Sequence, residues 1–129
     1  MLFITKARNF LSNPGSLRSH RYYPAMRDTV EYLLQNAIGI RKAISTDRIV
    51  AYLRDRGYRI YREEWEINVL GTLRDNGILI GSKVGKGMFM IETIDDARQV
   101  KASMEHRISV ETRRLQTLIQ VASQGGWVL

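Results

Sequence analysis

The side chains that could do chemistry in this sequence are mostly basic, and they fall in three stretches. One is the glycine-rich run GSKVGKG, one surrounds the start of a helical pattern near residue 62, and one lies in the N-terminal run SLRSHRYYP. The basic candidates in these stretches are Arg18, Arg21, Arg59, Arg62, Lys83 and Lys86. Lysine and arginine neutralise nucleic-acid phosphates and release their counterions, so a polyanion is the first partner to consider.

A second set of polar side chains belongs to the helical pattern over residues 62–76. Trp65, Val69 and Leu73 recur at helical spacing and predict the buried side of that helix. The other side and its margins carry the candidates for contacts to base edges, which are Glu64, Asn68, Thr72 and Arg74. Asparagine can contact adenine through two hydrogen bonds, and arginine can contact guanine in the same way.

The same helix face is also compatible with plain solvated surface. Glu63, Glu64 and Glu66 fill the first turn, where carboxylates favour the positive end of the helix dipole and would repel phosphates. Residues 58–76 carry three basic against four acidic side chains. Likewise, Lys83 and Lys86 at a hairpin tip are an ordinary solubility device as well as a phosphate contact. Both interpretations stay open on the sequence.

The net charge of +7 is concentrated near the N-terminus. Residues 1–24 contain four basic side chains and no acidic one, together with Pro14, Gly15 and several serines and asparagines. This composition predicts a mobile basic arm that becomes ordered when it binds. Arms of this kind insert arginines into the minor groove, a role available to Arg18 and Arg21. A disordered leader without function fits the same composition.

Several functional classes find no support. The sequence has no cysteine, which excludes disulfides, thiolate metal sites and cysteine nucleophiles. His20 and His106 are far apart, and GSKVGKG lacks the phosphate-loop pattern of nucleotide-binding proteins, so we expect no enzyme, cofactor or metal site. No apolar run approaches the roughly 20 residues that cross a bilayer. We expect no membrane association and a cytoplasmic location, in a bacterial or infected host cell.

The elements that must position these residues follow from periodicity. Helical patterns cover about residues 25–38, 46–56 and 62–76, each ending near a glycine. Two short apolar runs then flank the glycine- and lysine-containing tip, as a β-hairpin requires. The order helix, helix, helix, hairpin predicts an α+β, mostly α fold of the winged helix-turn-helix type. The predicted divisions are a basic arm over 1–24, the winged helix-turn-helix over 25–93, and a long helix with a tail over 94–129.

The last helical pattern, from about residue 95 to 123, is too long for the domain before it. A helix of this length spans about 42 Å, so its far half is expected to pack against another chain. The apolar residues predicted to form a homodimer are Met104, Ile108, Leu115, Leu118 and Trp127. Lys101 and Glu111 interrupt the heptad pattern, which favours an antiparallel pair or an exchange of C-terminal tails over a long parallel zipper.

The stretch LRDNGILIGSKVGKGMFMIETIDDARQVKASMEHRI resembles a family of winged helix-turn-helix proteins encoded by phages and prophages. The matching residues are Leu73, Arg74, Gly77, Ile80, Gly81, Ser82, Lys86, Gly87, Phe89, Thr93, Asp95, Asp96, Met104 and Arg107. The resemblance spans about residues 45–122 and implies a DNA-binding or replication-associated protein. Met88, where the family has an aromatic residue, and the N-terminal arm depart from its pattern. In layout alone the chain is also similar to bacterial replication terminator proteins, which dimerise through their terminal helix.

The leading hypothesis is a dimeric double-stranded DNA-binding protein, acting as a transcription regulator or a replication-associated factor. The helix over 62–76 would enter the major groove, with Lys83 and Lys86 on the wing and the arm as a tether. Two alternatives remain. One is a protein-interaction module that uses the near-neutral helix as its interface. The other is a single-stranded DNA or RNA binder that uses the arm and its tyrosines.

Overall fold

A computed structural model describes residues 2–129 of the protein. They form five helices and one two-stranded antiparallel sheet. The elements are α1 (Leu2–Ser12), α2 (Tyr23–Asn36), α3 (Thr46–Asp55), α4 (residues 62–75), β1 (Ile80–Lys83), β2 (Gly87–Met90) and α5 (Ile94–Gln124), with short 3-10 turns at Gly15–Ser19 and Ile40–Lys42. The prediction of an α+β, mostly α chain is confirmed. No helix among residues 2–129 is both long and apolar enough to cross a membrane.

Helix α3 has clear local reasons for its bounds. The Ser45 side chain accepts a hydrogen bond from the Arg48 backbone N–H at 3.2 Å and so caps the first turn. Ile49, Val50 and Leu53 are buried on its inner side. The chain leaves the helix at Gly57, whose φ of +95° is a conformation that side chains with a Cβ rarely adopt.

Helix α4 is continuous but not uniform. It consists of Arg62–Glu64, a π-helical segment Trp65–Leu70, and Gly71–Asp75. In the wider π turn, the Gly71 N–H donates to the carbonyl of Glu66, five residues back. Trp65 is fully buried, and its Nε1 donates to Thr29 Oγ1 at 3.2 Å. Leu70, the last residue of the π segment, is also buried.

The hairpin is attached to the chain segment between α2 and α3. Its strands pair Ile80 with Met90 and Lys83 with Gly87. Beyond this pairing, Ile44 and Met88 exchange two backbone hydrogen bonds of 2.9 and 2.7 Å. Gly87 makes this approach possible, because a Cβ there would lie 2.3 Å from the Ile44 carbonyl oxygen. The hairpin is therefore held against the start of α3.

The prediction of a mobile N-terminal arm was wrong for residues 2–24. Ile4, Ala7 and Phe10 of α1 are buried, and the Phe10 ring packs edge-on against Tyr23 with the ring centres 6.0 Å apart. These apolar residues recur at helical spacing, and their burial against α2 outweighs the polar composition that suggested disorder. The stretch from Gly15 to Ser19 is a 3-10 turn that adds Leu17 to the core.

Helix α5 leaves the body of the protein after its first few turns. It has 31 residues and extends for about 46 Å. Its start packs on β1 at Gly81, where a Cβ would come within 3 Å of both the Phe89 ring and Val100. Of the 31 residues only Asp96 and Ala122 are buried. Most of the helix is therefore exposed along its whole circumference.

One buried carboxylate joins α2 to the end of α3. Asp28 is 6% exposed and accepts hydrogen bonds from Tyr58 Oη at 2.6 Å and from Arg56 Nε at 3.3 Å. Burial, followed by the hydrogen bond to Asp28, raises the pKa of Tyr58 from 10 to about 12. The contact therefore requires a protonated phenol beside the carboxylate.

Replacing Tyr58→Phe should lower the free energy of unfolding by about 1–3 kcal/mol at pH 8, because a charged acceptor loses a donor. Since the folded pKa lies above the unfolded value, the stabilisation is complete below pH 10 and is lost as the pH rises towards 12. Urea unfolding at several pH values measures the difference from the wild type. Tyr32→Phe is the control, because the Tyr32 hydroxyl makes no hydrogen bond among residues 2–129. Equal stability of all three proteins would contradict this assignment.

Candidate nucleic-acid interface

Basic residues from three elements line one open cleft. The cleft has a volume of about 940 Å³ and lies between the hairpin tip, the start of α3 and the middle of α5. Arg62, from the first turn of α4, and Lys83 and Lys86, from the hairpin, all contribute to its lining. The structure therefore brings together three of the residues that the sequence marks as candidate phosphate contacts.

The hairpin tip presents its two lysines differently. Lys83 is exposed, and its Nζ donates to Gln99 Oε1 on α5 at 2.5 Å. Lys86 is also exposed and makes no side-chain hydrogen bond or salt bridge to any of residues 2–129. The turn between them is closed by the Lys86 N–H bonding to the Lys83 carbonyl at 3.0 Å, with Gly85 at a φ of +78°. At the tip, Lys83 is thus held by a hydrogen bond, whereas Lys86 has no side-chain partner among residues 2–129.

Arg62 is exposed but already carries two ion pairs. Its guanidinium lies 3.2 Å from Asp47 Oδ1 and 3.0 Å from Glu66 Oε1. The hydrogen bond with Glu66, followed by the charge of Asp47, raises the pKa of Arg62. A phosphate contact by Arg62 therefore has to compete with these carboxylates.

The remaining predicted arginines lie away from this cleft. Arg21 and Arg59 line a small surface pocket on the side of α4 where Tyr22 meets Glu64. Arg18 is exposed on the 3-10 turn after α1. The structure therefore does not gather all six basic residues in one place.

The half-buried carboxylate of Glu64 accepts two hydrogen bonds from within the protein. It accepts a short hydrogen bond from the Tyr22 hydroxyl and a longer one, of 3.4 Å, from the Tyr61 backbone N–H. The Tyr22 bond is the main reason that the pKa of Glu64 lies below its usual value. Glu64 thus ties the chain before α2 to the start of α4.

Arg74 is likewise bound internally. Its Nε and Nη2 donate to the Ile80 carbonyl oxygen at 3.0 and 2.7 Å, joining the end of α4 to β1. Burial, followed by the charge of nearby Arg107, lowers the pKa of Arg74. The prediction that Arg74 lies on the outer face used a rotation of about 100° per residue along the whole helix. This rotation does not hold across the π segment Trp65–Leu70.

The middle of α4 is left with few polar groups. Asn68 and Thr72 are half-buried, and neither side chain makes a hydrogen bond within the part of the chain that the structure describes. Ile67, which precedes Asn68 in the sequence, is 62% exposed. The middle of α4 therefore offers two polar side chains without internal partners and one exposed apolar side chain.

Helix α5 adds basic residues to which the sequence reasoning gave no binding role. Arg107 and Arg114 line the cleft opposite the hairpin, together with His106. Arg107 and Arg114 are seven residues apart, which places them on one side of a helix. That spacing was the available signal. It could not be used without knowing that α5 packs beside the hairpin.

The predicted dimerisation residues are all solvent-exposed in the single chain. Met104, Ile108, Leu115 and Leu118 are each more than half exposed, and Trp127 is 71% exposed beyond the end of α5. The four α5 residues among them thus lie on the part of the helix that leaves the body.

Neither a metal site nor a similar known protein is found for the described part of the chain. No three His, Asp or Glu side chains among residues 2–129 come together as a metal site would require. Comparison of the chain with protein-family models, with curated protein sequences and with solved structures gives no match.

Replacing Arg74→Lys should lower the free energy of unfolding by about 1 kcal/mol, because an ammonium group does not reproduce the two N–H groups that converge on the Ile80 carbonyl. Thermal and urea unfolding measure this effect. Arg59→Lys is the matched control, since Arg59 is exposed and makes no side-chain hydrogen bond or salt bridge within residues 2–129. Unchanged stability of the Arg74 variant together with an altered DNA sequence preference would instead assign Arg74 to base contact.

Proposed function

We propose that residues 25–93 form a winged helix-turn-helix and that the protein binds double-stranded DNA as a homodimer, regulating transcription or taking part in replication. The observation that carries the proposal is the shared cleft, in which Arg62 at the start of α4 meets Lys83 and Lys86 of the hairpin. A helix beside a lysine-bearing hairpin suits a groove contact flanked by backbone contacts.

In this proposal α4 lies in the major groove. Asn68 and Thr72 are the candidate base contacts, because their side chains are free of internal partners. Glu64 and Arg74 are not included, since Tyr22 and Ile80 already occupy their polar groups. The affinity then comes largely from the hairpin lysines and from the net charge of +7.

The proposed dimer uses the exposed apolar stripe of α5. A single helix that projects into water has little to stabilise it beyond its own hydrogen bonds. The stripe from Met104 to Leu118 spans about 21 Å, and Glu111 interrupts it between Ile108 and Leu115. A second copy of the same helix would remove its apolar side chains from water, as homodimer interfaces do.

A protein-interaction module is the second candidate, and Ile67 is the observation that favours it. An isoleucine that is 62% exposed in the middle of a near-neutral helix is an unusual neighbour for a base pair but an ordinary one at a protein interface. The single-stranded alternative has less support, because Tyr22 bonds to Glu64 and Tyr23 packs on Phe10.

Duplex binding is tested by fluorescence anisotropy over a salt series, using a randomised pool of DNA duplexes. Lys86→Ala should weaken binding about equally on all sequences and reduce the slope of log K against log salt by about 0.9. Asn68→Ala should instead change the sequences selected from the pool. Lys101→Ala is the control for charge, because Lys101 pairs with Glu105 outside the cleft. Absence of duplex binding by the wild type at low salt would refute the DNA-binding proposal.

The dimer is tested by sedimentation equilibrium. The double replacement Leu115→Glu with Leu118→Glu should convert a dimer into a monomer, because four carboxylates would face one another across the interface. Both leucines are exposed in the single chain, so the fold of the monomer should persist. Ser109→Glu, which lies outside the stripe, should leave the dimer intact. A wild-type chain that sediments as a monomer, or a double variant that remains dimeric, would exclude this interface.

A further inference from the structure

The cleft has a second wall that the proposed function does not use. Opposite the hairpin tip, α5 contributes Ser103, Arg107, Val110 and Arg114 to the lining. Arg107 and Arg114 are two helical turns apart, or about 10 Å along the helix. The wall is thus long enough to follow an extended ligand.

The charges of the cleft do not balance. Its lining contains five lysine and arginine side chains and two carboxylates. Asp47 is neutralised by Arg62 at 3.2 Å, and Glu111 by Arg114 at 2.9 Å. Lys83, Lys86 and Arg107 form no salt bridge with any carboxylate among residues 2–129. Within the same residues, the one side-chain hydrogen bond of the three joins Lys83 to the neutral Gln99. Three uncompensated cations therefore face the same space.

Arg107 also stands close to a second guanidinium. Burial, followed by the charge of Arg107, lowers the pKa of Arg74, which is held at the Ile80 carbonyl on the neighbouring edge of β1. Like charges repel, and an anion beside Arg107 would lower that repulsion.

We propose that the cleft between the hairpin and α5 binds one phosphate strand of the DNA, with Lys86 and Arg107 contacting it from opposite walls. The inference rests on the proposed function and extends it, because α5 becomes part of the DNA-binding surface. The cleft is open and five basic side chains line it, whereas a pocket for a small molecule encloses most of its ligand. A polyanion that lies along the cleft fits these walls better.

The first test compares Arg107→Gln with Arg113→Gln on the same duplex. Arg113 is exposed on α5 but does not line the cleft, so both changes remove one charge from the same helix. If Arg107 contributes counterion release alone, its loss should weaken binding about 8-fold at 0.1 M salt and reduce the salt slope by about 0.9. Arg113→Gln should have a clearly smaller effect on both. Equal effects would overturn the inference.

The second test uses the absence of cysteine from the sequence. Ser103→Cys places a single thiol in the cleft, and Ser109→Cys places one elsewhere on α5. With a duplex that carries an activated disulfide tether on its backbone, Ser103→Cys should cross-link and Ser109→Cys should not. Circular dichroism verifies that each variant is folded, and the Ser103→Cys result does not depend on the arginine variants.

The outcomes separate the two proposals. If the wild type binds duplex DNA but Ser103→Cys fails to cross-link, the cleft is not the strand site and the DNA-binding function stands. If Ser103→Cys joins two copies of the chain in the presence of the duplex, the cleft holds protein and the inference is wrong. If the wild type binds no duplex at low salt, the proposed function itself fails.

Discussion

Backbone hydrogen bonds join the hairpin to the segment between α2 and α3, and two of them, between Ile44 and Met88, lie next to the start of α3. They hold the hairpin against the start of α3, and Gly87 allows the contact because a side chain there would collide with the Ile44 carbonyl. Since α5 packs on β1, its direction follows from the same attachment. The cleft exists because these three elements meet in this arrangement.

The extent to which the sequence predicts this fold varies with the origin of each feature. The bounds of α3 were predictable because Ser45 and Gly57 act locally, through a cap and a left-handed turn. The hairpin was predictable because its strands and its glycine-rich tip change the period of the sequence. Helix α1 was missed because its polar and glycine-containing surroundings were given more weight than the spacing of its apolar residues. The features set by local geometry, α3 and the hairpin, were thus predicted correctly. Helix α1 was not, because composition and periodicity gave opposite indications there.

The candidate site was less predictable, for two physical reasons. Arg74 is turned towards β1 after a π segment, and helical geometry at a fixed angle per residue cannot anticipate such a change. Arg107 gains its place from the tertiary packing of α5 on Gly81, which no local pattern reports. In contrast, Lys83 and Lys86 were assigned correctly to an exposed tip, because a hairpin tip is exposed wherever the hairpin lies. Which groups face one another therefore had to come from the structure.

If the protein is the proposed DNA-binding dimer, the length of α5 has a consequence for the spacing of its half-sites. In a dimer joined through this helix, the register of the two copies sets the distance between their two α4 helices. A shift of the register by seven residues displaces one copy by about 10 Å along the helix, which corresponds to roughly three base pairs at 3.4 Å per pair. The order of apolar and charged residues along α5 would then act as a molecular ruler, selecting the separation of half-sites independently of the sequence that each half-site contains.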